Sequence, residues 1–298
     1  MGAAEAPGGA AAGARARQTC ACLEPERPGG GQAPADTVAI VLAGGTGERF
    51  GDPRGKQFVE LCGLPLMCWS LVAFDRAPSV RELVLVCAPD RVAEVRSSVL
   101  SRVALAKPVT FAPAGATRQD SVYSGLHAMP HEGELVAVHD AARPLVETST
   151  IERVCAAVRD DPRLHGAICA SRCVDTLKIV RGELVQSTPD RAGYWVAQTP
   201  QVFRRRPLVA AYDAAFWDGW QGTDDASLVE RHGGRNRVRC VECGHANIKV
   251  TLPEDLAVAE ATLGQRLVDE GLGRGISGAP GGTGGAGGPG APAGGARP

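Results

Sequence analysis

The sequence V-A-I-V-L-A-G-G-T-G, residues 38–47, places an apolar, largely β-branched run directly before a glycine-rich loop. The run predicts a buried strand at 38–42, because continuous apolar segments bounded by glycine are typical of parallel sheets. Glycines allow backbone N–H groups to approach phosphate oxygens closely. Arg49 and Lys56 follow the loop and add positive charge that suits a polyphosphate. The stretch therefore predicts nucleotide binding at the end of a strand.

Two familiar nucleotide loops fit this stretch poorly. The lysine of a Walker A loop is followed by Ser or Thr, whereas Lys56 is followed by Gln57. A dinucleotide fingerprint needs a third glycine for close packing of helix on strand, and Phe50 stands at that position. The sequence therefore disfavours a dinucleotide oxidoreductase.

Beyond this loop, strand and helix patterns alternate along the chain. Strands are predicted at 38–42, 82–87, 109–112, 135–139, 167–170, 237–241 and 247–250. Helices are predicted at 66–76, 89–100, 120–129, 149–158, 207–215, 224–231 and 253–263. This rhythm is typical of an α/β fold with a mostly parallel twisted sheet flanked by helices.

One segment, 174–196, interrupts the rhythm. Residues 174–180 and 183–187 alternate between apolar and polar side chains, with Arg181-Gly182 between them. This pattern predicts an antiparallel hairpin that leaves the sheet as an inserted β-arm. Such arms are a common means of self-association, so the sequence indicates a homodimer.

The two ends of the chain differ in composition from the middle. Residues 1–35 and 273–298 consist mostly of Ala, Gly and Pro, with few large apolar side chains. Such segments bury too little apolar surface to offset the entropy of ordering, so both are predicted to be disordered. Residues 36–272 are predicted to form one domain.

Composition limits the partners and the compartment. The net charge of −1 provides no global field to attract nucleic acid or an anionic membrane. No apolar run reaches the ~18 residues of a membrane span. The ten cysteines lack the spacing of metal sites or of a disulfide framework. We therefore expect a cytoplasmic protein, or a plastid one if residues 1–35 are a transit peptide.

Polar residues gather after the predicted strands, where open α/β sheets bind ligands. The set comprises Gly44 to Arg49, Lys56, Gly115 to Ser121, Asp140, Arg143 and Lys249. Asp140 is a lone acid among cations, so it is either an Mg2+ ligand between phosphates or a structural anchor for Arg143 or a loop amide. His139 is interpreted as a packing residue at the end of a strand.

Further motifs extend the first loop into a longer constellation. They are A-G-G-T-G-E-R at 43–49, K-Q-F at 56–58, R-Q-D-S-V at 118–122, H-D-A-A-R-P at 139–144, D-T-L-K at 175–178, D-R at 190–191, A-Q-T-P-Q-V-F at 197–203, T-D-D-A-S at 223–227 and N-I-K-V-T at 247–251. In combination, and over residues 38–263, they resemble the 2-C-methyl-D-erythritol 4-phosphate cytidylyltransferase family. The resemblance implies a Rossmann-like nucleotidyltransferase fold. It also implies transfer of CMP from CTP to methylerythritol phosphate, with release of pyrophosphate.

The resemblance also implies roles for individual residues. The implied catalytic residues are Arg49, Lys56 and Lys249. The implied nucleotide-binding residues are Ala43, Gly44, Gly45, Thr46, Gly47, Gly115, Arg118 and Ser121. The implied acceptor-binding residues are Asp140, Arg143, Thr176, Arg191 and Thr199. Thr176 and Arg191, on the arm, would reach the site of the other subunit in a homodimer. No side chain is assigned as a metal ligand, and Mg2+ is expected as a cofactor held mainly by the phosphates of CTP.

Two alternatives stay open from the sequence. The Leu-Ala-Gly-Gly form of residues 42–45 is common among ribitol 5-phosphate cytidylyltransferases, which makes that activity the alternative for the acceptor. The alternative of another class is a non-catalytic nucleotide-binding homologue. The presence of Arg49, Lys56 and Lys249 argues against it, because a protein that only binds does not need to keep all three.

Overall fold

The computed structural model describes residues 34–45, 47, 50, 55–130, 132–234 and 237–270. The predictions that concern Thr46, Arg49, residues 1–33 and residues 271–298 lie outside the described residues. Within the described ranges, a central sheet carries helices on both faces, and two short hairpins lie outside it.

The strands are β1 Thr37–Leu42, β2 Glu60–Leu61, β3 Leu64–Pro65, β4 Val80–Cys87, β5 Val109–Pro113, β6 Leu135–Asp140, β7 Gly166–Arg172, β8 Ile179–Arg181, β9 Leu184–Ser187, β10 Trp195–Arg204 and β11 Val238–Glu242. The α-helices are α1 Leu66–Arg76, α2 Val92–Ser98, α3 Arg118–Ala128, α4 Thr148–Arg159, α5 Arg205–Asp218, α6 Asp225–Gly233 and α7 Pro253–Asp269. In the part of the chain that the structure describes, no helix combines the length and the apolar character needed to cross a membrane.

The central sheet has seven strands in the order β11-β7-β10-β6-β1-β4-β5. β1 pairs in parallel with β4 and β6, β4 with β5, and β7 with β11. β10 runs antiparallel to both of its neighbours. The predicted mostly parallel α/β fold is confirmed, and the glycine loop leaves the sheet from an interior strand.

The apolar run of β1 contributes to the core on both faces of the sheet. Ala39 and Val41 pack in the cluster with α1, α4 and α7, whereas Val38 and Ile40 pack in the cluster with α3, α5 and α6. All four side chains are buried. Successive side chains of a strand point to opposite faces, so a strand covered on both faces needs an uninterrupted apolar run.

The β-arm is separate from the central sheet. β8 and β9 pair with each other as an antiparallel hairpin. Its apolar side chains are exposed, Leu184 to 72% and Val185 to 58%. The arm is slightly shorter than the predicted 174–196, because Trp195 and Val196 already pair with β7 as part of β10.

Two predictions for the central sheet are wrong. The sequence pattern predicts no strand at 195–204, yet β10 lies inside the sheet. Pro200 and the polar residues around it concealed the strand, since proline argues against a central strand. Residues 247–250 were predicted to be a strand, but the structure has none there. The N–H of Val250 instead donates to the carbonyl oxygen of Ala142 at 2.8 Å, so the segment is held against a loop.

The close packing of α3 on the sheet generates a stability prediction. A Cβ added at Gly125 would lie 2.7 Å from Cγ2 of Ile40, whereas one added at Gly264 in α7 would meet nothing within 4 Å. We expect Gly125→Ala to lower the free energy of unfolding by about 1–3 kcal/mol through overpacking. Gly264→Ala should raise it by ~0.5–1 kcal/mol, because alanine is the better helix former. Urea denaturation followed by circular dichroism measures both, and equal stability of the two variants would contradict this packing.

Candidate active site

A cavity of about 340 Å³ opens at the carboxyl ends of β1 and β6. It is lined by Leu42, Ala43, Gly44, Gly45, Lys56, Gln57, Gly115, Ala116, Thr117, Arg118, Ser121, Asp140, Ala141, Ala142 and Lys249. The glycine loop follows β1, residues 115–121 follow β5, and Asp140 is the last residue of β6. Residues predicted from separate motifs therefore lie around one cavity.

Two glycines of the first loop allow close approach of other chain segments. A Cβ at Gly44 would lie 2.3 Å from the Cβ of Ala114, so a side chain there would force apart the segments that follow β1 and β5. Gly47 has φ 69°, and a Cβ on it would lie 2.9 Å from the backbone nitrogen of Lys56. Glycine is therefore required at both positions to bring the segments together. Thr46 and Arg49 of the same loop lie outside the described residues.

The turn into α3 is fixed by side-chain hydrogen bonds. Thr117 is the N-cap, and its hydroxyl accepts from the N–H of Asp120 at 3.1 Å while Asp120 accepts in return. The hydroxyl of Ser121 accepts from the N–H of Gly115 at 3.0 Å and donates to the carbonyl oxygen of Thr117 at 2.9 Å. α3 therefore begins two residues before the predicted Asp120. Thr117, which the sequence placed in the polar set without an individual role, caps the helix and lines the cavity.

The carboxylate of Asp140 connects two cations of the cavity. Arg118 Nε donates to Oδ1 at 3.1 Å, and Lys249 Nζ donates to Oδ2 at 2.6 Å. Burial raises the pKa of Asp140, but the charges of Arg118 and Lys249 outweigh burial and hold the pKa well below its usual range. The side chain is therefore an ionised anchor at neutral pH, and its partners are these two cations rather than Arg143.

Asp225, on α6, is a second carboxylate that forms an ion pair with Arg118. Arg118 NH1 and NH2 donate to the two oxygens of this carboxylate at 3.0 and 2.9 Å, and the hydroxyl of Tyr212 donates to the same group. Burial alone would lower the pKa of Arg118, but Asp225 and Asp140 raise it. Sequence reasoning gave Asp225 no role. The T-D-D-A-S motif contained it, but only the fold shows that Asp224 caps α6 while its neighbour faces inward.

Arg143 and Thr199 lie behind the cavity wall and do not line it. Arg143 NH1 donates to the carbonyl oxygen of Asn247 at 2.7 Å. The hydroxyl of Thr199 lies 3.1 Å from His139 Nδ1 and accepts from the N–H of Asp140 at 3.1 Å. Asn247 Nδ2 donates to the carbonyl oxygen of Thr199 at 2.9 Å. Both predicted acceptor residues therefore stabilise the segment that forms the wall.

Thr176 and Arg191 lie on the exposed arm and do not line this cavity of their own protomer. Arg191 NH1 donates to the carbonyl oxygen of Val174, which closes the base of the arm. The contact of these two residues with another subunit's site stays a prediction.

The cavity does not offer a set of side chains for a metal ion. Among the described residues, no cluster of three His, Cys, Asp or Glu side chains is suited to one. Asp140 is the one carboxylate in the described lining, and each of its oxygens already accepts from a cation. This donor set does not fit a metal held by the protein alone, so a metal here would need most of its ligands from elsewhere, such as phosphate oxygens.

Comparison with known proteins points to one family. The family model described as "IspD: 2-C-methyl-D-erythritol 4-phosphate cytidylyltransferase" matches residues 37–265. The 2-C-methyl-D-erythritol 4-phosphate cytidylyltransferase of Geobacillus thermodenitrificans is 42% identical over 231 residues, which are 78% of this chain and 98% of that protein. The protein of the same name from Trichormus variabilis is 37% identical over 228 residues, covering 76% of this chain and 97% of that protein.

Solved structures agree with the sequence relatives. The 4-diphosphocytidyl-2C-methyl-D-erythritol synthase of Anaerococcus prevotii superposes with a TM-score of 0.68 at 27% identity, covering 76% of this chain and 95% of that chain. The 2-C-methyl-D-erythritol 4-phosphate cytidylyltransferase of Francisella tularensis gives a TM-score of 0.63 at 29% identity, covering 76% and 99%. The cation-rich cavity, the fold around it and these matches lead to one conclusion: the chain belongs to the 2-C-methyl-D-erythritol 4-phosphate cytidylyltransferase family and is a cytidylyltransferase.

Proposed function

We propose that this enzyme transfers CMP from CTP to 2-C-methyl-D-erythritol 4-phosphate, giving 4-diphosphocytidyl-2-C-methyl-D-erythritol and pyrophosphate. The observation that carries the proposal is the cavity in which glycine-containing segments meet Lys56, Arg118 and Lys249. The names of the sequence relatives support the choice of nucleotide and acceptor.

The proposed transfer needs positioning and charge compensation more than acid–base chemistry. An oxygen of the acceptor phosphate forms a bond with the α-phosphorus of CTP, and the bond to the β-phosphate oxygen breaks. Pyrophosphate then leaves with the electron pair of that bond. The attacking phosphate is already an anion, so no protein nucleophile or general base is required. In keeping with this, the described lining contains neither Cys nor His.

The cations are proposed to take different parts. Lys56 Nζ donates to the carbonyl oxygen of Val250 at 2.8 Å, which holds it at the wall near Lys249. We propose that these two ammonium groups, together with the side chain of Arg49, compensate the charge on the α-phosphate and the leaving pyrophosphate. Arg118 already gives three N–H groups to carboxylates, so its proposed part is to shape the nucleotide pocket.

The nucleotide is proposed to lie between two segments of the lining. Backbone groups of residues 43–45, which line the cavity, would face the phosphates, while Gly115 and Ser121 would order the turn that holds the cytidine. A backbone site separates cytosine from uracil, because the 4-amino group of cytosine donates a hydrogen bond where the oxygen of uracil accepts one.

The acceptor is proposed to bind between the wall and the arm of a second subunit. Asp140 lines the cavity, with Arg143 and Thr199 supporting it, and would orient the polyol. The exposed Thr176 and Arg191 would contact the acceptor phosphate in the partner's site. The exposed apolar surface of the arm, which an isolated protomer leaves in water, supports a homodimer.

Mg2+ is proposed to enter on the triphosphate. It would neutralise part of the phosphate charge and leave the positioning of the nucleotide to the side chains described above.

A cytoplasmic location is also proposed. The described cysteines are all free thiols, which suits a reducing compartment.

The acceptor is tested by direct comparison. Purified enzyme with CTP and Mg2+ should release pyrophosphate faster with 2-C-methyl-D-erythritol 4-phosphate than with ribitol 5-phosphate. A faster rate with ribitol 5-phosphate would favour the alternative suggested by the form of residues 42–45. Binding of CTP without release of pyrophosphate in the presence of either acceptor would favour a non-catalytic homologue.

Lys249→Ala tests the proposed charge compensation. The variant leaves Asp140 paired with Arg118, so the fold should be retained. We expect kcat to fall by about a hundredfold to a thousandfold, as when one donor to a developing charge is removed. The dissociation constant for CTP, measured by calorimetry, should change much less.

Arg163→Ala is the control. It removes a cation whose side chain is 81% exposed, and it should leave kcat and the dissociation constant for CTP unchanged. A loss of CTP affinity with an unchanged kcat would instead assign Lys249 to ground-state binding.

Leu184→Asp tests the arm. A charge on this exposed side chain should weaken association, so sedimentation velocity should show more monomer and the specific activity should fall on dilution. Trp217→Asp is the matched control, because Trp217 is 82% exposed on α5 and belongs to no part of the arm. A monomeric Leu184→Asp variant with full activity would show that the site does not need the partner's arm.

A further inference from the structure

His139 makes more contacts than a packing residue requires. It is fully buried at the end of β6, and its ring centroid lies 5.0 Å from that of Phe74. Nδ1 lies 3.1 Å from Oγ1 of Thr199. Nε2 lies 3.3 Å from both the carbonyl oxygen of Arg143 and Oγ of Ser70. Both ring nitrogens therefore have polar partners.

These partners determine the tautomer of the ring. The carbonyl oxygen of Arg143 can only accept, so Nε2 carries the proton. Burial lowers the pKa of His139 to about 3, so the ring is neutral at pH 7 and Nδ1 is an acceptor. The hydroxyl of Thr199 therefore donates to Nδ1, and its oxygen accepts from the N–H of Asp140. A directional chain of hydrogen bonds results, from the amide of Asp140 to the carbonyl of Arg143.

This chain begins where the pairing of β6 with β10 ends. The register between these strands runs only as far as Val138 opposite Gln201. On the other side of β10, the register with β7 shifts between Ala197 and Gln201. The buried amide of Asp140 still needs an acceptor, and the side chain of Thr199 supplies it. Because β10 is irregular here, the hydroxyl of Thr199 takes the place of a backbone carbonyl as the acceptor for the amide of Asp140.

The segment between the ends of the chain belongs to the site. Residues 140–142 line the cavity. At one end, Asp140 accepts from Lys249 Nζ at 2.6 Å. At the other end, Arg143 donates to the carbonyl oxygen of Asn247, two residues before Lys249. One imidazole therefore reaches both ends of this segment, the carbonyl oxygen of Arg143 directly and the amide of Asp140 through the hydroxyl of Thr199.

We propose that His139 is a positioning residue, whose neutral Nε2–H tautomer holds residues 140–143 so that Asp140 presents Lys249 to the triphosphate. The role rests on the proposed transfer of CMP. His139 does not line the cavity, so it acts through Thr199 and Asp140 and not on the substrate.

The tautomer is tested without substrate. Nitrogen-15 NMR of the histidine side chains at pH 7 should show one ring protonated at Nε2, with Nδ1 as a hydrogen-bonded acceptor. His139→Phe, which keeps an aromatic ring beside Phe74, identifies that signal by its loss. A ring protonated at Nδ1, or at both nitrogens, would overturn the proposal.

The positioning role is tested by a matched pair of substitutions. Thr199→Val removes the hydroxyl between His139 and Asp140, while Thr37→Val removes an equally buried hydroxyl at the start of β1. We expect Thr199→Val to lower kcat by roughly tenfold to a hundredfold, as for a misplaced catalytic group. Thr37→Val should lower the melting temperature and leave kcat unchanged.

Loss of thermal stability in Thr199→Val with an unchanged kcat would show that the hydrogen bonds only stabilise the fold, and the proposal would fail. His139→Gln, which retains an N–H donor, should keep more activity than His139→Phe. If the wild-type enzyme itself transfers no CMP, the proposed function fails and the positioning role fails with it. The wild-type rate separates the two failures. An inactive wild type contradicts the proposed function, whereas an active wild type with an equally active Thr199→Val variant contradicts only the positioning role.

Discussion

The carboxylate of Asp140 is the constraint on which the site depends. It is an anion largely removed from water, and a buried charge is stable only when it is paired and hydrogen-bonded. Arg118 comes to it from α3 and Lys249 from the segment before α7, so one side chain sets the relative position of three parts of the chain. Asp225 is also a fully buried charge, and its pairing with Arg118 meets the same need for a partner.

The charges of the site therefore alternate in the order Asp225, Arg118, Asp140 and Lys249. Arg118 and Lys249 are therefore each paired with a carboxylate before any nucleotide arrives. In the proposed transfer, a phosphate that reaches Lys249 shares its ammonium group with Asp140, whose carboxylate keeps that group in position. The ammonium group then faces two anions, so Asp140 lowers the net charge that the phosphate meets. Moderate binding of this kind suits an enzyme that must release a highly charged product.

The sequence predicted those parts of the molecule that a local property specifies. β1, β4 and β6 are buried on both faces, so continuous apolar runs marked them, and residues next to their ends cluster as expected. β10 was missed because its place between β6 and β7 depends on pairing partners and not on its own pattern. Asp225 was missed for a similar reason, since it joins the site from another helix. His139 was correctly placed in the core, but its hydrogen bonds depend on where β10 shifts its register.

The arm has a consequence for how this family can diverge. β8 and β9 form a sheet of their own, while β7 and β10, on either side of the arm, are aligned by a ladder that does not involve it. A lengthened tip between Arg181 and Leu184 leaves that ladder intact. Each doubling of the length of a flexible loop adds only about 0.6 kcal/mol to the entropic cost of closing it. The length of the tip is thus free to change, whereas the base of the arm, which carries Thr176 and Arg191, stays tied to the proposed acceptor site.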